Sequence, residues 1–101
     1  MPDKSWKAFE RRIAKAFGGT RRGADFRDAR GGKNDVIHDV YSIECKLLGR
    51  PSFSQLLLAC IQAEKAADPL QEPVAVVKRL RDRDNDALVC MRLKTFLEWH
   101  I

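Results

Sequence analysis

The first 17 residues show the spacing of one apolar helical face. A helix is predicted over residues 5–17, with Ser5 suited to the N-cap and Gly18 and Gly19 ending it. Glu10 lies only about 40° around the helix axis from Trp6, at the edge of the apolar stripe. A carboxylate in that position needs a partner near the core. The stripe consists of Trp6, Phe9, Ile13, Ala16 and Phe17.

Residues 35–48 alternate in a way that is typical of two short antiparallel strands. A turn near His38 and Asp39 would bring the strand after Asp35 back beside the strand that holds Glu44. Because strand side chains alternate between the two faces, Glu44 and Lys46 share one face. The opposite face is apolar and consists of Ile43, Cys45 and Leu47.

The second half of the chain continues the alternation of helices and strands. A capping-box pattern at Ser52 and Gln55 opens a helix that runs to about Ala67 and is apolar nearly all round. We expect such a helix to be covered on more than one side, by the sheet on one face and by a second subunit on the other, the alternative cover being the flanking helices of a monomer. Strands are predicted at 73–77 and 87–91, and a last helix at 94–99 with Phe96, Leu97 and Trp99 packing inward. A weak strand is also expected within Thr20 to Phe26. This order predicts a single α/β domain over residues 1–101, with a mixed sheet between helices.

Charge is concentrated at the start of the chain, whose formal net charge is +5. Residues 1–34 hold ten Lys/Arg and four Asp/Glu, a net of +6, which leaves −1 for residues 35–101. A basic third favours a polyanion such as DNA, although a solvated basic surface gives the same composition. The residues expected to contact phosphates are Arg21, Arg22, Arg27, Arg30 and Lys33.

The cysteines and the apolar runs bear on location. Cys45, Cys60 and Cys90 are widely spaced in apolar contexts, without metal-ligand spacing, which indicates reduced core thiols of a cytoplasmic protein. The longest apolar run, Leu56 to Ile61, has six residues, too few to span a membrane, and no secretory signal precedes it. We therefore expect no membrane partner.

Two carboxylates and a lysine at the hairpin suggest phosphodiester chemistry. Mg²⁺ or Mn²⁺ needs only two or three protein oxygens, because waters and substrate phosphate complete its ligand set. Asp35, Glu44 and the main-chain carbonyl of Cys45 would be sufficient. Lys46 would stabilise charge in the transition state, and Glu10 could bind a second cation or its water. The competing interpretation is an ordinary surface ion pair between Glu44 and Lys46, with Asp35 as a turn residue.

In this order the residues resemble the PD-(D/E)XK nuclease superfamily, and within it the small archaeal-type Holliday junction resolvases and related phage nucleases. The resemblance covers roughly residues 5 to 91. It includes the helix glutamate Glu10, Asp35 after Asn34, Ile43-Glu44-Cys45-Lys46, the helix segment Gln62-Ala63-Glu64-Lys65, and Pro73 to Lys78.

The resemblance implies a restriction-endonuclease-like fold and a metal-dependent DNA endonuclease of a prokaryotic or phage-infected cell. It also implies a homodimer, branched DNA as substrate, and a catalytic role for Gln62 near the scissile phosphate. The resolvases carry a serine in the loop before the aspartate, whereas residues 18–34 here contain Thr20 and no serine. A nuclease acting on other DNA, and a non-catalytic DNA-binding module on the same scaffold, are the alternatives.

Overall fold

The computed structural model describes residues 5–21 and 35–101. In chain order its elements are α1 (Ser5–Phe17), β1 (Thr20–Arg21), β2 (Val36–Ile37), β3 (Tyr41–Leu48), α2 (Phe53–Ala66), β4 (Glu72–Arg79), β5 (Leu88–Cys90) and α3 (Leu93–His100), with a short 3₁₀ turn at Asp84–Asp86 before β5. The strands form one open sheet in the order β1-β2-β3-β4-β5. Only β3 and β4 are parallel, and every other neighbouring pair is antiparallel. The described part of the chain is therefore a mixed α/β fold.

Helix α1 ends at a pair of glycines, as the sequence predicts. Gly18 adopts a left-handed backbone with φ of 77°, which a residue without a Cβ does at little cost. The amide of Gly19 then donates to the carbonyl of Ala14 at 2.8 Å. A Cβ on Gly19 would collide with the carbonyl oxygen of Ile37. This second glycine lets β1 lie close against β2.

The sheet is covered by one helix on each face. Phe9, Ile13 and Ala14 of α1 pack with one apolar face of β3 and β4, which includes Ile43 and Val74. On the other face Ala59 and Cys60 of α2 pack against a second set that includes Ala75 and Val77. Strand β4 is buried on both faces, which accounts for its nearly continuous apolar sequence.

Helix α2 begins with the predicted capping box and makes the crossover between the two parallel strands. The Ser52 hydroxyl accepts from the Gln55 amide at 3.2 Å, and the Gln55 side chain accepts from the Ser52 amide at 2.9 Å. Within the helix, Ala63 accepts a hydrogen bond from the buried Ser42 hydroxyl at 2.9 Å. This bond fixes α2 directly over the face of β3 that carries Glu44 and Lys46.

The described helices include none that is long and apolar enough to cross a membrane. The three cysteines are free thiols, with Cys45 and Cys60 buried and Cys90 half-buried. The predicted strand within Thr20 to Phe26 is confirmed for Thr20–Arg21, and its continuation lies outside the described residues.

The inward packing predicted for α3 is wrong for all three of its residues. Phe96, Leu97 and Trp99 are exposed, whereas Thr95 is the buried residue of this helix. The helix is anchored through polar contacts, because Arg92 and the Thr95 hydroxyl both bind the carboxylate of Glu64 on α2. The apolar side of α3 consequently faces away from its own sheet.

Candidate active site

Asp35 lies where β2 begins and binds β3 at two points. Its amide donates to the carbonyl of Ile43 at 3.0 Å, and its Oδ2 accepts from the amide of Cys45 at 2.7 Å. Strand β2 pairs with β3 at a single position, Val36 with Ile43. The Asp35 carboxylate therefore accepts from the Cys45 amide where a main-chain carbonyl of β2 would otherwise do so. This hydrogen bond fixes the position of the carboxylate.

The same geometry orients the main-chain carbonyl of Cys45. In a strand the amide and carbonyl of one residue point to the same edge. Because the Cys45 amide reaches Asp35, its carbonyl points to that edge as well, beside the carboxylate. The thiol lies in the core, where burial raises its pKa and the Asp35 carboxylate adds to the effect. Cys45 thus offers the site a backbone oxygen, while its sulfur packs with the core.

Glu44 and Lys46 share one face of β3, as predicted, but that face is not a solvated surface. Glu44 is only 8% exposed, because α2 covers this side of the sheet. The Lys46 Nζ lies 3.7 Å from Glu44 Oε1, a loose ion pair with Lys46 on the more open side. A buried carboxylate beside a partly exposed ammonium differs from the freely solvated pair of the competing interpretation.

The electrostatics of Glu44 are dominated by burial and by Asp35. Burial and, after it, the hydrogen bond and charge of Asp35 together raise the pKa of Glu44 to about 8, although Lys46 opposes the rise. Two carboxyl groups within hydrogen-bonding reach of each other do not both ionise readily. A cation bound between the two carboxylates would offset their mutual repulsion and allow both to ionise.

Glu10 reaches the site from α1 but already has a strong partner. Its Oε1 accepts from Arg21 Nε at 2.8 Å, and the Arg21 guanidinium also lies over the Trp6 ring at 5.8 Å. Burial raises the pKa of Glu10, Asp35 raises it further, and Arg21 opposes the rise. The prediction that this carboxylate needs a partner near the core is confirmed. The contact also means that Arg21, expected to bind phosphate, is held beside the acidic residues.

The donor set fits a hard divalent cation with few protein ligands. Within residues 5–21 and 35–101, no three His, Cys, Asp or Glu side chains are placed to hold a metal ion together. Asp35 and Glu44 are adjacent, however, and the Cys45 carbonyl points to the same edge as Asp35. Two carboxylates and a carbonyl are all oxygen donors, which Mg²⁺ and Mn²⁺ prefer and which leave room for water and phosphate.

One side of α2 faces β5 and α3, because Cys60 packs near Cys90 and Glu64 binds Arg92. Gln62 lies on the opposite side of the helix. At about 100° per residue Gln62 therefore points toward the β2–β3 side of the helix. Its Oε1 is buried and has no hydrogen-bond partner in the described part of the chain. A buried amide end without a partner costs stability unless a ligand or water satisfies it.

A basic concavity opens between α1 and β1. Arg11, Lys15 and Arg21 line it together with Gly18 and Gly19, and none of the described residues that line it is acidic. Arg11 and Lys15 were not among the residues expected to contact phosphates, so their convergence with Arg21 was missed. The other predicted phosphate contacts, Arg22, Arg27, Arg30 and Lys33, lie outside the described residues.

His38 was given no role by its sequence position, yet it supports the hairpin. Its Nδ1 accepts from the amides of Val40 and Tyr41 at 3.0 and 3.2 Å, which leaves Nε2 to donate to the Phe17 carbonyl at 2.8 Å. One imidazole thereby ties the β2–β3 turn to the end of α1. No local sequence signal indicates this contact, because it joins residues far apart in the chain.

A comparison of the chain with family models, with curated proteins and with solved structures finds no match in any of the three.

Proposed function

We propose that the protein is a metal-dependent DNA endonuclease of the PD-(D/E)XK type, with its active site at the junction of β2 and β3. The observation that carries the proposal is the placement of three groups. Asp35 is fixed against the Cys45 amide at 2.7 Å, and Glu44 lies beside it with Lys46 at 3.7 Å. The element order and the mixed sheet support a restriction-endonuclease-like identity for the fold.

Asp35, Glu44 and the Cys45 carbonyl would hold Mg²⁺ or Mn²⁺ in this proposal. Bound there, the cation would supply Lewis acidity toward a phosphate oxygen and would lower the pKa of an attacking water. The strand geometry keeps the donors rigid, because Asp35 is bonded to β3 and Glu44 is packed under α2. A rigid donor set needs little rearrangement during the reaction.

Lys46 and Gln62 act on the substrate in this proposal. The Lys46 ammonium is partly exposed next to Glu44, so it can approach a phosphate oxygen as negative charge develops there. The buried Gln62 Oε1 lacks a partner in the described chain and would accept from the water near the scissile phosphate, while Nε2 would donate to a phosphate oxygen. Glu10 contributes by holding Arg21 at the edge of the site.

The basic concavity of Arg11, Lys15 and Arg21 supports DNA as the substrate. It opens next to the carboxylates, since Arg21 lines it and also binds Glu10. Phosphates that follow this concavity would bring a backbone bond toward Asp35. Branched DNA, as for a Holliday junction resolvase, is the proposed preference, and reduced thiols fit a cytoplasmic location.

Cleavage of a DNA panel tests the proposal. The purified chain is incubated with labelled linear duplex, single strand, nicked, flap and four-way-junction DNA, in Mg²⁺, Mn²⁺ or EDTA. We expect metal-dependent cutting, greatest on branched DNA. Binding of the same substrates without cutting in either metal would instead identify the non-catalytic DNA-binding module, and cutting of linear duplex alone would identify a nuclease acting on other DNA.

A further inference from the structure

The imidazole of His38 binds main-chain groups on both of its sides. Nδ1 accepts from the amides of Val40 and Tyr41, and Nε2 donates to the carbonyl of Phe17. Because an amide only donates and a carbonyl only accepts, both contacts require the neutral ring with its hydrogen on Nε2. The Phe17 carbonyl is the last of α1, beyond the reach of the amides of the helix itself. One ring therefore caps the β2–β3 turn and the end of α1 together.

The residues around this ring are closely packed. A Cβ on Gly19 would lie 3.4 Å from Cδ2 of His38, so the turn after α1 comes directly against the imidazole. The Phe17 ring meets the Tyr41 ring edge-on, with 5.7 Å between their centroids. The term His38 joint is used here for Phe17, Gly19, His38 and Tyr41.

The His38 joint connects the two halves of the proposed active site. Glu10 and Arg21 belong to α1 and β1, whereas Asp35 and Glu44 belong to the β2–β3 hairpin. The strands between these halves are short, since β1 pairs with β2 at two positions and β2 with β3 at one. The apolar packing of α1 on the sheet holds the halves together, but such packing has no preferred direction. A directional bond at the joint is what sets the position of α1.

We propose that His38 is a positioning residue of the active site. Its bond to the Phe17 carbonyl fixes the half that carries Glu10 relative to the half that carries Asp35. The hydrogen bonds described for the ring are all to main-chain groups, so His38 acts through the backbone and does not touch the substrate. Its effect on cleavage rests on the proposed nuclease function. A shift of about 1 Å in a catalytic group can cost roughly a hundredfold in rate.

The side chain of His38 can be replaced while the turn stays attached to the sheet. The main-chain carbonyl of His38 accepts from Gln71 Nε2 at 2.7 Å, and the carbonyl of Val40 accepts from the Glu72 amide at 2.9 Å. These bonds tie the turn to the start of β4 whatever side chain follows β2. We therefore expect variants of His38 to fold.

Two variants separate the two sides of the ring. His38→Asn keeps an acceptor near the position of Nδ1 but is too short to reach the Phe17 carbonyl. His38→Gln places an amide donor near the position of Nε2 and can still bind that carbonyl. In single-turnover cleavage at saturating protein and Mg²⁺, the asparagine variant should be at least about tenfold slower than the glutamine variant. The glutamine variant should stay within about threefold of wild type, and both should bind DNA as the wild type does.

Ser52→Ala is the control for a general loss of stability. It removes the capping box of α2, at the other end of β3 from the His38 joint. Its urea midpoint should fall while its cleavage rate stays at the wild-type value. Equal cleavage rates in His38→Asn and His38→Gln would overturn the proposal. So would a rate loss in Ser52→Ala as large as the loss in His38→Asn, because stability alone would then explain both.

A measurement without metal or DNA separates the joint from the nuclease function. Nuclear Overhauser contacts between the rings of Phe17 and Tyr41 should be strong in the wild type and in His38→Gln, and weaker in His38→Asn. Contacts of unchanged strength in His38→Asn would overturn the proposal whether or not the chain cuts DNA. A wild type that cuts no DNA would instead remove the proposed nuclease function, and the ring contacts would still decide whether His38 positions α1.

Discussion

Glu44→Gln should stabilise the protein at high pH when no divalent cation is present. The folded chain holds the Glu44 proton up to a pKa of about 8, whereas the ordinary value is 4.5. At a pH between these two pKa values, Glu44 has lost its proton in the unfolded chain but keeps it in the folded chain. Folding stability therefore falls as pH rises from about 4.5 to about 8 and levels off above that range. Glutamine has no proton to lose, so the variant lacks this fall.

The magnitude follows from the difference between the two pKa values. At about 1.36 kcal/mol per pKa unit, the difference corresponds to an upper limit of about 5 kcal/mol. Residual exposure of the side chain and relaxation of the paired carboxylates reduce this. We expect the wild type to lose about 2–3 kcal/mol between pH 5 and pH 8.5, relative to the variant.

Urea denaturation in EDTA at pH 5 and at pH 8.5 measures this difference. The control is Glu98→Gln, an exposed glutamate on α3 whose removal should leave the pH dependence unchanged. Adding Mg²⁺ at pH 8.5 should then stabilise the wild type, because a cation that binds only the folded state raises the free energy of unfolding. It should have little effect on Glu44→Gln, which has lost one of the proposed carboxylate ligands. If the free-energy difference between wild type and Glu44→Gln is the same at both pH values, the assignment of Glu44 as a buried, strained carboxylate is wrong.

Three further predictions concern other contacts. Arg12 and Lys78 hold the pKa of Asp84 at about 2, below the ordinary 3.8, so folding stability should be lost as pH falls from about 4 to about 2. Asp84→Asn should cost about 1–2 kcal/mol near neutral pH after allowance for solvent screening. Denaturant titrations that show no loss of stability between pH 4 and pH 2 would refute this. Ser52→Ala should cost about 1 kcal/mol by loss of the capping box, and an unchanged thermal midpoint would show that the cap contributes nothing. Arg21→Ala should lower the slope of log K for DNA against log salt by about 0.9 if Arg21 neutralises one phosphate, and an unchanged slope would place the DNA elsewhere.

Local patterns predicted most of the elements. The apolar spacing of α1, the glycines that end it and the Ser52 capping box all act within a few residues, so the sequence alone was sufficient. The same holds for the hairpin, because strand alternation decides that Glu44 and Lys46 share a face.

Contacts between distant residues could not be predicted in this way. The sequence does not show that α2 buries Glu44, that Arg21 binds Glu10, or that His38 binds the end of α1. Helix α3 was misjudged for a related reason. Its amphipathic spacing identifies an apolar face, but the orientation of that face depends on the polar contacts of Arg92 and Thr95 with the distant Glu64.

The rate of metal-dependent cleavage in Asp35→Asn tests the central claim most directly. Its matched control is Asp39→Asn, the same change at an exposed turn position four residues away. With saturating protein, Mg²⁺ and the best-cut DNA, we expect the Asp35 variant to lose at least about a thousandfold in single-turnover rate while it binds DNA as well as or better than the wild type. The control should cut at the wild-type rate. Cleavage by Asp35→Asn at the rate of the control would contradict the assignment of the β2–β3 junction as the active site.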